Sequence, residues 1–131
     1  MIAIPVDTAE FGVKSSLLFG NAPFFALYNQ KEKQFVFKEN TGCGNGIKTA
    51  EALKSWNVEK VVYSFLGDGP FHAMHKEGMS IYYIGKTQLG VSEIVRGVQN
   101  DDYTKVDSNN TSTFLDPGTT SGSCECGCTH E

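Results

Sequence analysis

Apolar side chains recur along the first three quarters of the chain in two rhythms. The opening "MIAIPV" is a short unbroken apolar run and predicts a buried strand. Pro5 removes one ladder donor from it, so the run is expected to be a strand end or an irregular edge. Two aromatic and β-branched runs follow, "FFALYN" and "QFVFKE", joined by the polar "QKEK". That is the pattern of a β-hairpin.

The rhythm then becomes helical. In "GIKTAEALKSWN", Ile47, Ala50 and Leu53 share one helical face, with Trp56 close behind. "VEKVVYSFL" predicts a strand. "GPFHAMHKEG" predicts a helix, with Pro70 suited to its first turn and Gly78 to its end. "MSIYYIG" predicts another strand, and "VSEIVRGV" sets Val91, Ile94, Val95 and Val98 on one helical face. The order is therefore an N-terminal strand and a hairpin, followed by α-β-α-β-α. Such alternation implies right-handed crossovers and a mixed, partly parallel sheet with helices packed on it, an α/β fold.

Past Gln99 the apolar pattern stops. "NDDYTKVDSNNTSTFLDPGTTSGS" is polar and cannot bury enough surface to offset its ordering entropy. The chain thus divides into an α/β domain over residues 1–98, a flexible polar linker over 99–123 with Phe114 and Leu115 as a candidate docking point, and a Cys-rich tail over 124–131.

Length, charge and cysteine usage narrow the classes of function. A chain of 131 residues holds one domain with a real core. The net charge is −4 and the lysines alternate with acids, as in "NQKEKQFVFKEN", which argues against a nucleic-acid partner. No apolar run is long enough to cross a bilayer, and "MIAIPVD" lacks the basic start and cleavage site of a signal peptide, so a cytoplasmic location is expected. In that compartment the four cysteines are expected as thiols or metal ligands rather than disulfides.

Two segments carry candidate chemistry. "TGCGNGIKTAEAL" places Gly42, Gly44 and Gly46, with Cys43 and Asn45 between them, directly before a helix. Glycines let the backbone approach a ligand, and a helix N-terminus favours an anion. The G-x-G-x-G spacing, after a hairpin strand, is not the dinucleotide fingerprint. Cys43 beside that N-terminus is a candidate for a lowered thiol pKa and for metal ligation. The plainer alternative is a tight turn with a small, partly buried cysteine.

The second segment is the tail, "CECGCTHE". In an extended chain, Cys124, Cys126 and Cys128 present three sulfurs on one side, with His130 in register. Such soft ligands favour zinc, copper(I) or iron–sulfur species. The alternative is a tail that binds nothing, but three of four cysteines at alternate positions is a poor match to chance. As a flexible coil the linker spans roughly 25–30 Å, enough to bring the tail to Cys43.

The segments "IAIPVD", "FGNAPFFALYN", "GCGNGIKTAEAL", "VVYSFLGDGPFHAM" and "GMSIYYIG" follow one another in the order and spacing of a known family. Over most of residues 1–96 the chain resembles the dinitrogenase iron-molybdenum cofactor biosynthesis family, the NifX/NafY-like domains. The resemblance implies a ribonuclease-H-like α/β fold and a role in binding, storing or transferring iron-, molybdenum- or sulfur-containing clusters. One position departs. Family members often carry a histidine just before the "FG" of the second segment, whereas this chain has Leu18, which cannot ligate a metal. The Cys-rich tail lies outside the resemblance.

Two further constellations have plain alternatives. His72 and His75 share a helical face near Asp68, a candidate metal set that is more simply a solvated face. The implied fold also suggests a divalent-metal nuclease built on Asp7, Glu51 and Asp68, each of which equally suits a turn, a solvated helix face or a cap. The expected function is therefore non-catalytic. The chain would hold a metal ion or an iron– or molybdenum–sulfur cluster on Gly42 to Gly46 and the tail ligands, and exchange it with a donor or acceptor protein. An interaction or regulatory domain with incidental cysteines is the alternative, and the sequence sets no oligomeric state.

Overall fold

The computed structural model describes residues 1–10 and 12–107. Among the described residues nine elements follow one another: β1 (Ile2–Val6), β2 (Phe24–Asn29), β3 (Gln34–Glu39), α1 (Gly46–Ser55), β4 (Lys60–Tyr63), α2 (Asp68–His75), β5 (Ser80–Tyr83), α3 (Val91–Gln99) and β6 (Thr104–Val106). The six strands form one sheet in the order β3-β2-β1-β4-β5-β6. β1 is antiparallel to β2 and parallel to β4, β4 is parallel to β5, and β2 and β3 are antiparallel. The sheet is thus mixed, as the alternation of elements implied.

The hairpin closes as its residues dictate. Asn29 accepts hydrogen bonds on Oδ1 from the Lys31 and Glu32 amides at 2.9 and 3.1 Å, an Asx turn. Lys33 closes the loop in the left-handed region at φ 56° and donates to the Asn29 carbonyl. The register Asn29↔Gln34 through Phe24↔Glu39 follows.

Period-two alternation sorts the strands onto two faces. Ala3, Phe25, Leu27, Val61, Tyr63 and Ile81 pack with Ala50 and Leu53 of α1 and Phe71 and Met74 of α2. Ile2, Ile4, Val6, Ala26, Val62 and Tyr82 pack with Val91, Ile94, Val95 and Val98 of α3. β1 is buried along its whole length because both faces of the central strand are covered.

Two expectations change. Pro5 lies in an interior strand, not on an edge, and sits next to that strand's end, as the strand-end alternative had it. It stands opposite Phe25 of β2, while the parallel pairing with β4 covers only Ile2 and Ala3, so the lost donor falls beyond that ladder. Second, the segment expected to be linker from residue 99 begins with structure. β6 pairs antiparallel with β5 through Ile81↔Val106. Val106 is 1% exposed, and the Tyr103 ring lies against Gly97 of α3. Two apolar side chains suffice to dock this short stretch, a number too small to register as a periodic pattern. Residues 108–123 and the tail lie outside the described residues.

Candidate functional site

Antiparallel pairing through β2 makes β3 parallel to β1, so Val6, Phe24 and Glu39 stand side by side at one end of the sheet. The Gly-rich loop leaves β3 at this end, and α1 begins there. The β4–α2 connection emerges at the same end, since β4 is parallel to β1.

The loop is built on a buried polar pair. The Asn40 side-chain amide donates to the Ala22 carbonyl at 2.9 Å and to Thr49 Oγ1 at 3.1 Å, and its Oδ1 accepts from the Gly42 amide at 2.9 Å. Thr49 Oγ1 in turn donates to the Gly42 carbonyl at 3.1 Å. Both side chains are buried, and among the described residues no buried side-chain polar atom lacks a partner. The pair ties the end of β3, the loop and α1 into one frame.

Glycine is required here for close approach. A Cβ on Gly42 would lie 2.4 Å from the Lys48 carbonyl carbon and the Thr49 nitrogen, both backbone atoms. A Cβ on Gly46 would meet Pro70 of α2 at 2.3 Å, and one on Gly20 would meet Gly46 Cα at 3.1 Å. Gly44 takes φ 96°, a left-handed conformation that favours glycine. Three segments therefore meet: the turn at Gly20, the loop and, through the Pro70 ring, the start of α2.

At the mouth of the loop, Asn45 caps α1, with its Oδ1 accepting from the Lys48 amide at 3.0 Å. The Gly46 and Ile47 amides precede any intrahelical acceptor and carry the positive end of the helix. Leu18 and Ile47 are 46% and 42% exposed, large apolar side chains on the two segments that border the mouth. Cys43 is half-buried, with Sγ 3.6 Å from the Asn21 carbonyl oxygen. In the structure it is disulfide-bonded, contrary to the thiol expected from sequence. It is the single cysteine among the described residues, and ligation through its sulfur requires the reduced form.

The remaining candidates are dispersed. Among the described residues no group of three or more His, Cys, Asp or Glu side chains comes together to hold a metal ion. Asp7, Glu51 and Asp68 are exposed and form no carboxylate cluster. His72 and His75 lie on the exposed face of α2 and flank the buried Phe71, whose ring His75 stacks upon at 5.1 Å. Cys124, Cys126, Cys128 and His130 lie outside the described residues. No helix among the described residues is long and apolar enough to cross a membrane.

The sequence reading missed Asn40, Thr49 and Gly20. The local signal for Asn40 is its place between a strand and a glycine turn, where Asn commonly bonds the backbone two residues on. Thr49 carries no such signal, because its partners are distant in the chain.

With this geometry in view, comparison with known proteins becomes specific. The family model described as dinitrogenase iron-molybdenum cofactor matches residues 1–101. The chain belongs to this family. Membership covers the whole sheet up to the entry of β6 and ties the chain to cofactor handling at the level of the family. Among solved structures it is similar to the apo form of the orange protein from Desulfovibrio gigas. The TM-score is 0.73 and the identity 17%, over 80% of this chain and 91% of that one. It is also similar to a proposed NifB protein from Thermotoga, with TM-score 0.71 and 23% identity over 89% of this chain and 97% of that one. At these identities the two likenesses speak for the fold. No curated protein matches the chain.

Proposed function

We propose that this protein binds an anionic metal–sulfur cluster, of the iron–molybdenum cofactor kind, and passes it between a donor and an acceptor protein without catalysing a reaction. The family supports the kind of cargo. The observation that carries the site is the meeting of the glycine loop with the start of α2 at the α1 N-terminus, bordered by the exposed Leu18 and Ile47. Open α/β sheets use this end, the carboxyl end of the parallel strands, for ligands. The strand order β3-β2-β1-β4-β5, with β2 antiparallel to both its neighbours, supports the ribonuclease-H-like reading of the fold.

The chemistry follows from the donor set. The described residues offer helix N–H groups and one cysteine sulfur, that of Cys43, but no complete ligand cage. A cluster at the loop would therefore be held by hydrogen bonds and by the positive end of the helix, with direct sulfur ligation left to reduced Cys43 and to Cys124, Cys126 and Cys128 of the tail. Incomplete ligation suits cargo that must leave again. Protonation of the thiolates and of His130 would promote release on acidification.

The test uses the full chain, reduced and handled without oxygen. Adding an iron–sulfur or molybdenum–sulfur cluster should shift the amide NMR signals of Gly42 to Ile47 together with those of the tail. Cys43→Ser should weaken cluster binding more than it weakens binding of a single zinc ion. Replacing Cys124, Cys126 and Cys128 by serine should remove most bound zinc. Movement of tail signals alone would make the tail an independent metal site and leave the loop a structural turn. Neither set moving would leave an interaction domain with incidental cysteines.

A further inference from the structure

The chain has four cysteines, Cys43, Cys124, Cys126 and Cys128. Cys43 is disulfide-bonded in a structure of one chain. By elimination its partner is one of the other three, all of which lie outside the described residues. The place of attachment is the mouth of the candidate site. Cys43 stands two positions before Asn45, the cap of α1. The first turn of α1 carries no acidic side chain, and its Lys48 is exposed. This helix start therefore lacks the carboxylate that its positive end favours. Glu125 stands between Cys124 and Cys126, so a bond to either brings a carboxylate to the loop.

We propose that the C-terminal segment is a redox-sensitive strap. Oxidised, it is bonded to Cys43 and sets Glu125 against the Gly46 and Ile47 amides, which closes the mouth. Reduced, it leaves. The inference rests on the cluster-binding reading for what the mouth admits, though not for the strap itself. The strap has the reach. β6 runs antiparallel to β5, and Val106 pairs with Ile81 near the start of that strand, so the chain leaves the sheet at the end away from the mouth. β6 and β3 are the two outer strands, about 24 Å apart across the sheet. From Asp107 to Cys124 the chain spans up to about 55 Å, enough for the diagonal. Opening is thiol–disulfide exchange with a dithiol reductant. The bond from Cys43 to the tail sulfur breaks, each sulfur gains one electron and one proton, and the dithiol closes to its own disulfide. Closing takes a low-molecular-weight disulfide such as oxidised glutathione, which leaves as two thiols. Opening thus also frees Cys43 and one tail sulfur as ligands, so the mouth and the donors become available in one event.

The experiment compares the full chain equilibrated with oxidised glutathione and with dithiothreitol, at first without any cluster. In a non-reducing tryptic map of the oxidised protein, peptide 39–48 should be joined to peptide 106–131. Amide hydrogen exchange at Gly46 and Ile47, read by NMR, should be about tenfold faster in the reduced protein. Cys43→Ser in the oxidising buffer should exchange like the reduced wild type. Glu125→Gln keeps the bond and should show a rise of about threefold. Bonds confined to the tail with Cys43 as a thiol overturn the proposal. So do equal exchange rates in the two redox states, or a Glu125→Gln protein that exchanges like the oxidised wild type. A synthetic tetrairon–tetrasulfur cluster then tests the cargo by its visible absorption, with uptake expected in the reduced protein and not in the oxidised one. Uptake equal in both states overturns the strap as a gate. Uptake in neither, with the map and the exchange as expected, upholds the strap and overturns the cluster reading instead.

Discussion

Residues 34–39 and residues 40–46 adjoin in the chain and are held in opposite ways. In the loop, the buried Asn40 and Thr49 side chains are fully engaged, and the Gly42 backbone touches that of α1. Along β3 most side chains are exposed, and the outer side of the strand meets none of the described strands. The difference teaches where tolerance lies. A glycine-rich segment reads as flexible in sequence, yet here its glycines make a rigid frame, and a strand that reads as core carries the open surface. The Gly42 to Asn45 amides are spent on this frame, and the frame in turn fixes the Gly46 and Ile47 amides at the start of α1 before a ligand arrives.

The comparison breaks first at Gly42. Gly42→Val would force a side chain into backbone atoms at 2.4 Å, which cannot give way. The expected loss is about 3 kcal/mol or more of unfolding free energy, read by urea denaturation. A loss below about 0.5 kcal/mol, the size of an ordinary surface change, would show that the loop is not the rigid element. Asn40→Ala should come next. It strands the Gly42 amide and removes one partner of Thr49, for a loss of about 2 kcal/mol.

Alkaline pH probes the floor beneath that frame, for which β3 has no counterpart. Burial, and then the neighbouring Tyr83, raise the Tyr63 hydroxyl pKa well above its ordinary value. Burial, then Glu93 and Asp102, raise that of Tyr103 too. The fold favours the neutral phenols, so their contribution is intact below about pH 10 and is lost as pH climbs towards the folded values. The decline should reach at most about 1.4 kcal/mol per pH unit for each group. Tyr63→Phe should flatten the larger part of it in a series of melts at rising pH. The smallest effect belongs to the edge. Val36→Thr should change unfolding free energy of the monomer by no more than about 0.5 kcal/mol, since half of that side chain is already in water.

Much of the fold was legible because it is written locally. The hairpin strands "FFALYN" and "QFVFKE" coincide with β2 and β3 end to end, since alternation and a four-residue polar turn lie within one short window. The three helices lie where spacing placed them, and the family resemblance over most of residues 1–96 agrees with the match over residues 1–101. The candidate site was legible in outline, as a glycine loop opening a helix. Its supports were not. Asn40 reaches Ala22, and Gly20 touches Gly46, across 18 and 26 positions of chain. No periodicity reports such pairs.

By itself the sequence determined the element types as far as α3, the burial of the opening strand, the glycine loop that opens a helix and membership of a cofactor-handling family. Each of these rests on neighbours in the chain or on a motif that survives as a string. Only the tertiary structure decided that Pro5 sits in an interior strand, that Tyr103 and Val106 dock a polar segment as β6, that Gly42 serves backbone contact and that Gly46 makes room for the Pro70 ring. The physical reason is common to all of them. Periodicity tells which side of an element is apolar. Which element covers that side, and how closely two backbones must then approach, follows from packing between segments far apart in the chain.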